Sequence, residues 1–264
     1  MAEQGTVVIT GSSGRLGTIL RQALAGRYRL RGIDRVPTPG MTGALVASLT
    51  DLGAILPAFK GADAVVHLAA DSRHTPDIGW DTLIPDNVVA TANVYEAARR
   101  GGAKRVVFFS SMHVCGMYEN DPPWSRIAAG DYAGLEPDRV RLVTADMPAR
   151  PDGRYAVSKI FGEALGKYYA EAHGMEVVVV RLGTVGREDR PGSDARSFVS
   201  WLSHRDLAHL TERAIAAPHV KHEIVFGTSD NKWRIYDTLH ARTVLSYAPQ
   251  DNAERFRDRS HPPA

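Results

Sequence analysis

Cysteine is almost missing: Cys115 is the only one in 264 residues. No internal disulfide can form and no cysteine cluster can hold a metal, the pattern of a reduced compartment, so a cytoplasmic location is expected. Charge of one sign is missing too. The 32 Lys and Arg and the 30 Asp and Glu are mixed along the chain for a formal charge of +2, which offers no field to nucleic acid or an anionic membrane surface. No apolar run reaches bilayer length, and Met1 to Thr10 is short and polar at Glu3 and Gln4 before a strand begins, so neither a membrane span nor a signal peptide is expected. Histidine occurs ten times without an HxxxH or HxH pair, so local spacing predicts no metal site. There is no internal repeat. With 44% hydrophobic residues, the chain can bury one large core.

Short β-branched runs alternate with helical stretches. Thr6 to Thr10, Tyr28 to Asp34, Ala64 to Leu68, Arg105 to Ser110 and Glu176 to Leu182 read as strands. Val106 to Phe109 and Val177 to Val180 are continuously apolar, which suits strands covered on both faces in a doubly wound parallel α/β sheet. Asn87 to Arg99 reads as a covering helix with Val88, Ala92, Val94, Tyr95 and Ala98 inward. After about Arg181 the pattern loosens, with a helix near Arg205 to Ala216 and a short strand near Glu223 to Gly227. The expected organisation is a dinucleotide domain over 1–182 and a small substrate lobe over 183–264, packed on it. The end, His261, Pro262 and Pro263, is expected to fray.

Gly11-Ser12-Ser13-Gly14-Arg15-Leu16-Gly17 closes the first strand and opens a helix. Glycines there let the backbone turn tightly and approach a pyrophosphate at the helix N-terminus. Asp34 ends the second strand about twenty residues on, where a carboxylate accepts both ribose hydroxyls and repels a 2′-phosphate, favouring NAD over NADP; Arg35 beside it argues the other way. Tyr155 and Lys159 are four apart at the start of a helix running to His173 before Gly174, so they share a face. A phenol ordinarily titrates near 10, so a tyrosinate base at neutral pH needs about 4 kcal/mol of differential stabilisation, which a neighbouring ammonium and an oxidised nicotinamide could supply. Ser110 and Ser111 stand at a strand's carboxyl end, where open α/β sheets bind ligands. His67 reads as a satisfied core residue, and Arg99, Arg100, Lys104 and Arg105 as a solvated cluster at a helix end.

GSSGRLG, VVHLAA (Val65 to Ala70), SSMHVCG (Ser110 to Gly116) and YAVSK together resemble the extended short-chain dehydrogenase/reductases, the NAD-dependent epimerase/dehydratase superfamily, over about the first 180 residues. The resemblance implies a Rossmann-type fold and a catalytic Ser111, five before Gly116, with Tyr155 and Lys159. It also implies an NAD site formed by Gly11, Ser13, Gly14, Arg15, Leu16, Gly17, Asp34, Leu49, Leu68, Ala69, Ala70, Asn87, Tyr155 and Lys159. PARPDGRYAVSKIFGEALGKYY, RLGT, SWLSHRDL and PQDNAERFR are more narrowly similar to the uronate dehydrogenases. That likeness implies NAD-dependent oxidation of a sugar acid at its anomeric carbon, with Ser72, Ser111, His113, Tyr155, Thr184 and Arg196 around the sugar and Arg196 on its carboxylate. A homo-oligomer is expected. The chain departs from the pattern in an added stretch, Glu119 to Met147, expected to be a lid over the pocket; in Ser48 and Met112, where relatives carry aspartate and asparagine; and in a shorter tail. A nucleotide-sugar epimerase and a non-catalytic dinucleotide sensor are the competing readings.

Overall fold

The computed structural model describes residues 5–75 and 77–257; the expectation for His261 to Pro263 lies outside them. Seven strands, β1 (Thr6–Thr10), β2 (Arg29–Asp34), β3 (Leu45–Val46), β4 (Ala64–His67), β5 (Arg105–Ser111), β6 (Glu176–Leu182) and β7 (His222–Gly227), form one sheet. Every pairing is parallel and the order is β3-β2-β1-β4-β5-β6-β7. The helices are α1 (Arg15–Leu24), α2 (Leu52–Phe59), α3 (Trp80–Leu83), α4 (Ala90–Gly101), α5 (Trp124–Ala129), α6 (Arg154–His173), α7 (Ala195–Ser200), α8 (His204–Ala216) and α9 (Leu239–Leu245). This is the doubly wound fold expected from the alternating runs, with strand ends displaced by a residue. Among the described residues no helix is long and apolar enough to cross a membrane.

The two-residue period of a strand divides the core. Val7, Ile9, Val66, Val107, Val178 and Val180 pack on one face, with Leu20 and Leu24 of α1 and Leu207 and Leu210 of α8. Val8, Val65, Val106, Phe108, Val177 and Val179 point to the other, toward Ile55 and Phe59 of α2 and Val94 and Tyr95 of α4. The segment after Leu182 therefore contributes β7 to the sheet and α8 to its main core. It is tied down by buried polar groups: Asp206 accepts from Ser229 Oγ at 2.7 Å and from the amides of Gln250 and Asp251 at 2.8 and 3.0 Å.

Two expectations need correction. The helix read over Asn87 to Arg99 is present and starts earlier, since α3 passes through a wide π turn over Ile84–Val89 into α4 without leaving helical backbone; it is the expected inner face that is displaced. Pro85 lacks an N–H and cannot sit in an unbroken helical ladder; the turn rotates the helix, so Thr91, Val94, Tyr95 and Ala98 face inward while Val88 and Ala92 are only half-buried. The stretch Glu119 to Met147 is no lid. Its Trp124, Ile127, Tyr132 and Val143 are buried in a third core with Phe226, Trp233 and Tyr236. The Val143 amide donates to the Ile235 carbonyl at 2.8 Å, and Tyr132 stacks on Trp233 at 4.2 Å. Large apolar side chains in that segment bury themselves against the chain's last third rather than over the cleft.

His67 is fully enclosed, with Nδ1 2.7 Å from Thr10 Oγ1 and Nε2 3.1 Å from Thr91 Oγ1. Burial, then the positive Lys159, pushes its pKa from 6.5 to about 3. The unfolded chain takes up a proton there below pH 6.5 that the folded chain refuses until about pH 3, so stability falls as pH drops through that window, by up to about 1.4 kcal/mol per pH unit. His67→Gln, which has nothing to titrate, should lose less stability than the wild type between these limits. Parallel urea-unfolding curves for the two chains would show that this histidine is not the cause.

Candidate active site

The strand order reverses between β1 and β4, so the loops after β1 and β4 part and leave a crevice at the carboxyl edge. Gly11 turns the chain there with a φ of +72°, and a Cβ on it would stand 2.9 Å from the Ala69 nitrogen. A Cβ on Gly17 would meet the Gly11 carbonyl at 2.3 Å, so α1 can press against the turn only as glycine. Gly14 caps α1 without a side-chain acceptor, which leaves the first amides of the helix to an anion. Asp34 accepts the Ser13 amide at 3.0 Å and the Arg35 amide at 2.7 Å. Arg35 itself is paired with Asp86 at 3.0 Å, so a 2′-phosphate would have to compete with that carboxylate for it. Arg15 donates across the crevice to the Val185 carbonyl at 2.9 Å.

Two adjoining cavities follow this crevice. Gly11, Asp34, Leu49, Ala69 and Ala70 line the smaller one beside β2. The larger, about 530 Å³, runs past Ser13 to Gly17 and Leu68 to Ser72, Ser111, His113, Tyr155, Lys159 and Thr184. An elongated cleft with unpaired helix amides midway and a carboxylate at one end fits an NAD molecule. Asn87 does not line it. Its amide is buried, bonded to Asp71 N (2.7 Å), Asp71 O (3.0 Å) and Ser158 Oγ (2.9 Å), so it holds the loop after β4 to α6.

The first turn of α6 carries Tyr155 and the next carries Lys159, both at the cleft. Ser110 Oγ is taken by Glu163 at 2.5 Å, and Glu163 is in turn paired with Arg181 at 2.8 Å. Both serines line the cleft, but only Ser111 is free of Glu163, and it hydrogen-bonds the Tyr155 phenol. Lys159 is 3% exposed and donates to the Phe109 carbonyl at 2.9 Å. Burial lowers its pKa to about 8 against the pull of Glu163. Tyr155 moves the opposite way from the expectation: burial pushes its phenol up to about 12, and the Ser111 hydrogen bond opposes this only in part. The Lys159 ammonium lies 5.8 Å from the tyrosine ring centre and its proton goes to Phe109, so desolvation outweighs it.

The far rim holds polar groups that are distant in sequence. His113 Nδ1 meets Asp152 Oδ2 at 2.6 Å, and His74 stacks on His113 with ring centres 4.1 Å apart. Thr184 Oγ1 bonds Ser200 Oγ at 3.0 Å. Arg196 does not line the cleft. Its guanidinium grips Glu119 through two hydrogen bonds of 2.5 and 3.1 Å, and Tyr236 adds a third to that carboxylate at 2.8 Å. Glu119, His74 and Asp152 are not singled out by sequence, although His74 follows Ser72 by two residues and Asp152 precedes Tyr155 by three, because no local spacing shows that they meet at this rim. Ser110's tie to Glu163, by contrast, is what separates the two serines.

Residues 7–233 match the NAD dependent epimerase/dehydratase family, and the chain belongs to it. It is 35% identical to the NAD-dependent glucose-6-phosphate dehydrogenase of Haloferax volcanii, over 97% of each chain. It is 32% identical to the uronate dehydrogenase of Pseudomonas putida, over 95% of this chain and 86% of that one, and 33% identical to the L-arabinose 1-dehydrogenase (NAD(P)(+)) of Haloferax volcanii, over 94% and 97%. The crystal structure of uronate dehydrogenase from Agrobacterium tumefaciens superposes with a TM-score of 0.79 at 32% identity, covering 96% of this chain and 87% of the other. The cofactor is NAD. Asp34→Ala should cut the preference for NAD over NADP by about tenfold to a hundredfold, the worth of one or two charge-assisted hydrogen bonds. Unchanged discrimination in steady-state kinetics would mean that the ribose is read elsewhere.

Proposed function

We propose that this chain is an NAD-dependent dehydrogenase that oxidises the anomeric carbon of a sugar acid, a uronate such as galacturonate or glucuronate, to the aldarolactone. The observation that carries the dehydrogenase reading is the meeting of Ser111, Tyr155 and Lys159 in the cleft whose other end carries Asp34. Bound NAD supplies the hydride acceptor and a positive charge beside Tyr155. Ser111 holds the C1 oxygen, and Tyr155 accepts the C1 hydroxyl proton as the C1 hydride departs, which leaves C1 doubly bonded to oxygen with the ring closed. Lys159, anchored on the Phe109 carbonyl, keeps its remaining ammonium protons at the cleft beside Tyr155, where they would help to hold NAD. An epimerase would show no net NADH, and a sensor would bind without turnover.

The sugar-acid reading is supported by the similarity to uronate dehydrogenases and by Arg196 near the far rim, where its charge is felt by His74. For a substrate carboxylate to be gripped, it must take the place of Glu119 on the guanidinium. The same ion pair favours a second reading, a neutral aldose, because the arginine's charge is already met inside the protein. NADH formation with uronates, glucose 6-phosphate, glucose and arabinose distinguishes these.

Two sets of variants sharpen the test. Tyr155→Phe removes the base and keeps the ring, so turnover should fall about 10²–10⁴-fold with NAD affinity nearly intact; a variant keeping a third of wild-type turnover would sink the assignment. Arg196→Ala should lower catalytic efficiency on a uronate by roughly ten- to a hundredfold and spare the matching aldose, while Glu119→Gln should lower the KM for the acid. Equal losses on both sugars would mean that Arg196 only ties α7 to the segment carrying Glu119.

A further inference from the structure

We propose that His74, His113 and Asp152 form a binding site for one divalent transition-metal ion of the zinc class, and that the bound ion holds the sugar off the rim of the substrate cleft. One ligand atom from each residue lies within 4.8 Å of the others. Both imidazoles address the same carboxylate: His113 Nδ1 stands 2.6 Å from Asp152 Oδ2, and His74 Nε2 stands 3.5 Å from Oδ1. Asp152 Oδ1 is buried and makes no hydrogen bond among the described residues. A desolvated carboxylate oxygen with an unused lone pair is costly unless something cationic completes it.

The backbone presses these ligands together. A Cβ on Gly116 would stand 2.0 Å from Asp152 Oδ2, and one on Gly153 would stand 2.5 Å from His74 Cε1, so both glycines are space for the cluster. Stacking at 4.1 Å with an interplanar angle of 23° holds the two rings side by side. Ligands of one zinc ion lie about 2.0–2.2 Å from it and so roughly 3 Å or a little more from one another. The His113–Asp152 contact needs to open by about half an ångström and the wider spacings need to close, which side-chain rotation supplies. Two imidazoles and one carboxylate suit zinc, cobalt or nickel rather than magnesium or calcium. The charged group facing the cluster from elsewhere is Arg196, whose charge is met by Glu119.

Three protein ligands leave at least one position open. His113 lines the catalytic cleft with Ser111 and Tyr155, and the tyrosine ring centre lies 6.2 and 6.3 Å from the two imidazoles. An ion there, with its remaining water, occupies the approach of a sugar ring but not the Asp34 end of the NAD cleft. The blocking half of the proposal rests on the reading of this cleft as a sugar site; the binding half does not.

Titration of the full chain with zinc chloride by calorimetry, without NAD or sugar, should show one saturable ion per chain. Cobalt in its place should give the strong visible absorption of a four-coordinate ion. His74→Ala and Asp152→Asn, each checked for retained NAD binding as a sign of folding, should weaken zinc by at least about tenfold. Zinc should raise the KM for whichever sugar is oxidised and leave NAD affinity unchanged. No saturable zinc, or zinc that both variants bind as tightly as the wild type, overturns the site; zinc that binds without altering the sugar KM overturns the blocking role. If zinc binds as described and no sugar of the panel is oxidised, the substrate reading fails and the metal site stands.

Discussion

A sheet of seven parallel strands cannot face water on either side, and the arrangement of this molecule follows from that constraint. Each strand of the centre is apolar on both faces, so helices must cover both, and each connection must return to the same end of the sheet before the next strand starts. All carboxyl ends therefore gather on one edge. The reversal of order between β1 and β4 opens that edge where Gly11 and Gly17 already force the backbone close, and α6 lays Tyr155 and Lys159 along it from the side of β5.

Burial then sets the chemistry. Lys159 and Tyr155 are both removed from water, which lowers the amine to about 8 and raises the phenol to about 12. The two shifts reverse the order of proton affinity of the free side chains: the ammonium becomes easier to deprotonate, while the phenol becomes reluctant. A positive charge arriving with the oxidised cofactor acts on the phenol in the direction that burial opposes. The Glu163–Arg181 pair lies just behind, nearly without exposure, and spends one carboxylate oxygen on Ser110. That pairing is neutral as a unit and leaves Ser111 free of Glu163.

The stretch Glu119 to Met147 and the chain after Leu182 belong together physically. Their aromatic residues bury one another in the third core, and Glu119, Arg196 and Tyr236 join the same elements by charge. The elements beside the far rim are thereby held by contacts between segments far apart in the chain, while the cofactor end is built from residues of the first strand, its turn and the second strand.

What the residues determined by themselves is the part built locally. The apolar runs of β5 and β6, the glycine turn from Gly11 to Gly17, Asp34 at a strand end and the four-residue step from Tyr155 to Lys159 each act through neighbours in sequence, so parallel sheet, NAD and the placing of Tyr155 and Lys159 on one cleft were legible. Resemblance pointed to Ser111 where composition left Ser110 open, and the tie of Ser110 to Glu163 is the tertiary reason. Pro85 was visible, yet the wide turn it imposes rotates a helix face that periodicity alone misplaced. Only the folded chain decided that Trp124 and Tyr132 turn inward instead of covering the cleft, that Asn87 holds a loop instead of the cofactor, and that Arg196 meets Glu119. The gathering of His74, His113 and Asp152 is of the same kind: long loops bring the three together, and no local spacing records a contact that is made only when the sheet's carboxyl edge is assembled.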